Sequence, residues 1–80
     1  MIYIAGTKLK KQIDVQGAER SLHGLDVKGE LMFGAENVHE LRVFASSLGN
    51  KISRNTAFLN RRYIHRIDEN EIYYNITRTR

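Results

Sequence analysis

The sequence predicts a small α+β domain: a mostly antiparallel sheet with one main amphipathic helix packed on one face, ending in a C-terminal β-hairpin. Three observations predict it. Val38, Leu41, Phe44, Ala45 and Leu48 recur at helical spacing behind a capping residue. Leu25, Val27, Gly29, Leu31 and Phe33 hold odd positions while Asp26, Lys28 and Glu30 hold even ones. Two β-rich runs, 61–67 and 71–77, flank the polar segment Asp68-Glu69-Asn70.

Taken in order, Met1-Ile-Tyr-Ile-Ala5 is β-branched and aromatic, and reads as a first strand stopped at Gly6. Gly6-Thr7-Lys8 is the expected turn into a second strand over 9–16, where Leu9, Ile13 and Val15 share one parity. Residues 18–23 suit either one helical turn or a loop. The alternation from Leu25 to Phe33 reads as a half-buried strand, bulged or broken at Gly29, with Met32 the even-numbered exception. Asn37 is a good N-cap, and Glu40 three residues on completes the pattern of a capping box. Gly49 is the expected helix end. His39, Arg42, Val43, Ser46 and Ser47 should face away from the apolar stripe. Residues 50–60 read as a loop anchored by Ile52, Ala57, Phe58 and Leu59. In the hairpin, pairing Ile67 with Ile72, His65 with Tyr74 and Tyr63 with Ile76 gathers the apolar side chains on one face. It sets Arg66 over the Tyr73 ring on the other.

A chain of 80 residues has room for one core, so residues 1–80 form a single domain. No apolar run is long enough to span a bilayer, and no signal-peptide pattern opens the chain. Without cysteine, disulfides, thiolate metal sites and a Cys nucleophile are excluded together, and a reducing, cytoplasmic setting is expected. His23, His39 and His65 share no ligand spacing, so neither metal nor cofactor is expected. Lys8, Lys10 and Lys11 follow Gly6 without the spacing of a phosphate loop. No residue stands out as catalytic.

Charge gives the one chemical direction. Residues 1–50 carry six basic and six acidic groups, whereas residues 51–80 carry seven basic groups against Asp68, Glu69 and Glu71. The whole excess of +4 therefore lies in the last thirty residues. Arginine forks suit phosphate, and a neighbouring tyrosine offers a base a surface to stack on. Arg61, Arg62, Arg66, Tyr73, Arg78 and Arg80 are accordingly the candidate contacts to nucleic acid or to an acidic protein surface. The same arginines also suit a solvated strand face that discourages edge-to-edge aggregation.

Two resemblances add to this. Met-Ile-Tyr-Ile4 with Glu40-Leu-Arg-Val-Phe-Ala-Ser-Ser-Leu-Gly49 is similar to a family of short uncharacterised phage and bacterial proteins. That family opens with an M-x-Y-V strand and carries an E-L-H-A-F-A-x-x-I-G helix. Its later H-Y-D segment is replaced here by Tyr63-Ile-His65-Arg66. The likeness implies a phage-type origin and hence a host-cell cytoplasmic site. The segment 63–78 resembles the last two strands of ribosome-dependent toxin nucleases, whose two-helix arm has no counterpart here. That likeness implies Arg62, Arg66 and Arg78 as RNA-contact or catalytic groups, with His65 as acid or base. Three functions are thus expected in order. The first is a non-enzymatic phage-type accessory protein binding nucleic acid or a nucleoprotein machine through the basic hairpin. The second is an inhibitor of a host defence or transcription complex, anti-CRISPR-like, acting by surface occlusion. The third is a toxin-like ribonuclease.

Overall fold

The computed structural model describes residues 1–5 and 11–80. The expected Gly6-Thr7-Lys8 turn and two of the three lysines that follow Gly6 lie outside the described residues. Five strands form one antiparallel sheet: β1 (Tyr3–Ala5), β2 (Lys11–Gln12), β3 (Glu30–Gly34), β4 (Tyr63–Asp68) and β5 (Tyr73–Arg78), in the order β2-β1-β3-β5-β4. Two helices, α1 (Val15–His23) and α2 (Val38–Ser53), lie on one face of the sheet and touch each other.

The core forms where apolar parity on the sheet meets the helix stripes. Leu41, Phe44 and Leu48 of α2 and Ala18 and Leu22 of α1 are buried against Phe33, Tyr74 and Ile76. Phe33, Phe44 and Tyr74 make an aromatic triangle with ring centroids 5.1, 5.9 and 6.3 Å apart. Such tilted and edge-on pairs add to the area term of burial. As expected, His39, Arg42, Val43, Ser46 and Ser47 stay exposed on α2.

Several expectations are corrected. The second strand ends at Gln12, and the segment from Val15 is the helix α1. Asp14 caps that helix, its carboxylate accepting from the Gly17 N–H at 2.7 Å. Ile13 and Val15 still face the core, as the alternation suggested, but from a loop and a first helical turn. The strand expected over 25–33 begins only at Glu30. Before it, Gly29 N–H bonds back to the Asp26 carbonyl at 2.9 Å and Lys28 adopts φ 72°, so 26–29 is a turn and Val27 is left exposed. A Cβ at Gly29 would sit 2.9 Å from that carbonyl, which explains the glycine.

The main helix starts as expected, with Asn37 Oδ1 accepting from Glu40 N–H at 2.8 Å. The Glu40 carboxylate pairs with the Met1 ammonium group. The helix does not end at Gly49: it runs to Ser53, because nothing at Gly49 interrupts the backbone and Ile52 extends the stripe onto the core. Beyond it, Thr56–Phe58 forms a short 3-10 turn capped by Asn55. Phe58 anchors the 50–60 segment, while Ala57 and Leu59 are exposed, Leu59 at 72%.

The hairpin exists, with its two faces as expected and its pairing shifted. Asp68 pairs with Tyr73, Ile67 with Tyr74, His65 with Ile76 and Tyr63 with Arg78. The shift comes from the turn. Asp68 Oδ1 accepts from the N–H groups of Asn70 and Glu71 at 2.9 and 3.0 Å, which keeps Asp68 at the end of its strand. Ile72, at φ 55°, is thereby excluded from the ladder. That conformation costs a β-branched residue on the order of 1–3 kcal/mol. Arg66 consequently faces Asn75, and Tyr73 lies opposite Asp68. The expected Arg66–Tyr73 stacking pair is not formed; the one cation–π contact among the described residues sets Arg61 over Phe58 at 5.6 Å.

Candidate nucleic-acid interface

Strand parity divides the six candidate residues into two groups. Both helices cover the face that carries Phe33, Tyr74 and Ile76, so among the described residues no helix lies over the opposite face. Residues directly across a ladder share a face. The pairs Tyr3–Gly34–Tyr73–Asp68, Ala5–Met32–Asn75–Arg66 and Glu30–Thr77–Ile64 therefore form three rows across the uncovered side. Arg62, bonded through its backbone to Thr79 and Arg80, continues β4 on that side. Arg62, Arg66 and Tyr73 thus belong together on the uncovered face.

Arg61, Arg78 and Arg80 do not join them. Arg78 is half-buried, and its Nη1 donates to the Leu25 carbonyl at 2.8 Å while Nε donates to the Arg80 carbonyl at 3.2 Å. Arg61 Nη1 donates to the His23 carbonyl at 2.8 Å, with the guanidinium over the Phe58 ring. Arg80 Nε donates to the Asn60 carbonyl at 3.3 Å. These three guanidinium groups clamp the ends of α1, the 3-10 turn and the loop before β3 onto the hairpin. Three of the five candidate arginines are therefore occupied in holding backbone carbonyls. Arg62 and Arg66 are exposed and make no side-chain hydrogen bond or ion pair among the described residues. The other exposed ion pair, Arg42 with Glu69, ties α2 to the hairpin turn and contributes about 0–1 kcal/mol.

His65 also lies on the helix side. Its Nδ1 is 2.5 Å from the Tyr74 hydroxyl, and the two rings stack with centroids 5.9 Å apart. Burial of that edge lowers the His65 pKa from its ordinary value and raises that of Tyr74. A neutral imidazole accepting from the phenol satisfies both groups. The set inferred from the nuclease likeness is consequently split: His65 and Arg78 are on one side of the sheet, Arg62 and Arg66 on the other. Among the described residues, no three His, Cys, Asp or Glu side chains gather as a metal site. None of the described helices is long and apolar enough to cross a membrane.

Several residues of the uncovered face were not singled out from the sequence. Tyr3 and Gly34 share a row with the already named Tyr73, and Met32 and Asn75 lie in the next. The signal for Tyr3 was present: Ile2 and Ile4 both turn to the core, so the residue between them must face the other way. No family model, curated protein or solved structure matches the chain.

Proposed function

We propose that this chain is a small, non-enzymatic, phage-type accessory protein that binds single-stranded nucleic acid across the uncovered face of its sheet. The observation that carries the reading is the composition of that face. Tyr3 and Tyr73 lie in one row, and Arg66 and Arg62, both without side-chain partners among the described residues, follow along β4. Tyr3 and Tyr73 are half-buried, and the accessible part of each ring can stack on an unpaired base while flanking arginines neutralise the phosphates between bases. Thr77 Oγ1 donates to Asn75 Oδ1 at 3.1 Å, which leaves the Asn75 amide N–H groups for an outside acceptor. Duplex DNA suits this surface less well, since no helix or protruding ribbon is placed to enter a groove. The phage-type assignment rests on the strand and helix likeness described above.

The test is fluorescence anisotropy with labelled single-stranded DNA and RNA across a range of salt concentrations. Affinity should fall linearly with log[salt], and Arg62→Ala and Arg66→Ala should each reduce the slope by about 1. Tyr73→Ala should weaken binding by about 1–3 kcal/mol with the slope unchanged. Absence of binding to both nucleic acids at low salt would refute the reading. An inhibitor of a host complex would then remain, and a pull-down that survives nuclease treatment would favour it.

A further inference from the structure

The row Tyr3–Gly34–Tyr73 is more than two half-buried rings on one face. Adjacent strands lie about 4.8 Å apart, so two tyrosines separated by one strand stand about 10 Å apart on the same face. The residue between them is a glycine, and among the described residues a Cβ built there would meet nothing closer than the Ile72 carbonyl at 3.9 Å. The space over Gly34 is therefore an empty slot with aromatic walls. Aromatic pairs settle at centroid separations of about 4.5–7 Å, so rings this far apart can admit one planar group between them. Met32, Ala5, Ala35 and Ile72 complete an apolar floor, and the cavity measures about 520 Å³. Ile72 contributes from its strained left-handed backbone, the feature of the turn that brings its carbonyl up to Gly34.

The rim of the slot has the opposite charge from the rest of the proposed interface. Glu36 and Glu71 line it, and Asp68 ends the same row, whereas Arg66 and Arg62 lie further along β4. Phosphate is repelled from the carboxylates and drawn toward the arginines. A nucleotide thus has one orientation that satisfies both ends, with its backbone toward Arg66 and its base between the tyrosines. The carboxylates can only accept hydrogen bonds, so they favour a base edge that donates through an exocyclic amine.

We infer that the Tyr3–Gly34–Tyr73 slot is a nucleobase subsite selective for amino-bearing bases, with Glu36 and Glu71 reading the amine. This rests on the sheet-face reading above. The experiment compares short oligo(dC) with oligo(dT), which differ at C4 by an amine against a carbonyl oxygen, at N3 by an acceptor against an N–H donor, and at the C5 methyl group. Wild-type protein should bind oligo(dC) about tenfold more tightly. Gly34→Leu, which fills the slot, should lower oligo(dC) affinity to the oligo(dT) level, as should Glu36→Gln combined with Glu71→Gln. Melting profiles confirm that the variants are folded. Equal binding of both oligonucleotides by the wild type overturns the subsite and leaves the sheet-face reading standing. Binding of neither overturns both. Displacement of oligo(dC) by arginine amide but not by cytidine would place a basic side chain in the slot and overturn the assignment.

Discussion

Replacing Arg78 with alanine separates the arginines that hold the fold from those available to a partner. In the structure Arg78 is half-buried and donates two side-chain hydrogen bonds to carbonyls, at 2.8 Å to Leu25 and 3.2 Å to Arg80. Its backbone also closes the turn before β3, donating to the Gly29 carbonyl and accepting from Lys28 N–H. The substitution keeps those backbone bonds and removes the guanidinium. A hydrogen bond from a charged donor contributes about 1.5–3 kcal/mol, and the longer, exposed bond to Arg80 adds little. A loss of about 1.5–2 kcal/mol is expected. For a domain of this size each kcal/mol moves the melting midpoint by about 4–8 °C, so Arg78→Ala should melt about 10 °C lower. Arg66→Ala, which removes an exposed side chain with no partner among the described residues, should stay within about 0.5 kcal/mol of the parent. Thermal melts followed by circular dichroism measure both, with Arg78→Lys as a control that retains charge but not the fork. Oligonucleotide binding, read well below the midpoints, should show the reverse order. Arg66→Ala loses affinity, and Arg78→Ala retains it within about twofold. Equal melting temperatures for the two alanine variants would refute the division of the arginines by sheet face.

Gly49→Ala should raise stability by about 0.5–1 kcal/mol, because the position is inside α2 and an added Cβ meets nothing within 4 Å. A helix ending at Gly49 would instead be destabilised by the same change, so the sign of the melting shift decides. Asp14→Ala should cost about 1 kcal/mol through loss of the α1 cap, measurable by urea unfolding. The His65–Tyr74 contact sets a pH dependence. Because the folded-state pKa of His65 is depressed, its stabilising contribution is present above the ordinary value of 6.5. It is lost as pH falls through the folded value. Urea midpoints should therefore decline as pH falls below about 6.5. His65→Gln should flatten that part of the profile.

The main helix start, the hairpin faces and the antiparallel sheet were legible because each rests on a local rule: an Asx cap, a period of two, a polar turn. The errors share a physical cause as well. Ile13 and Val15 have a parity that suits a strand, yet the Asp14 cap and contact with α2 win, because burial of Ala18 and Leu22 depends on a helix there. Gly49 looked like a helix terminus, but Ile52 gains burial only if the helix continues past it. The hairpin shift followed from Asp68 capping its own turn, which sequence pairing by hydrophobicity does not register. For the site, net charge located the hairpin but could not tell Arg66 from Arg78. That distinction needs the carbonyl of Leu25, fifty-three residues away in the chain. Gly34 carried no chemical signal, since its role comes from the two tyrosines that sheet order sets beside it.

The most direct measurement is a titration of isotope-labelled protein with single-stranded oligonucleotide at low salt, followed by amide chemical shifts. We expect the largest changes at Tyr3, Met32, Gly34, Arg66, Tyr73 and Asn75, all on the uncovered face, with the outer surface of α2 around His39, Val43 and Ser46 unmoved. Shifts concentrated on that helical surface, or none anywhere, would contradict the proposed interface.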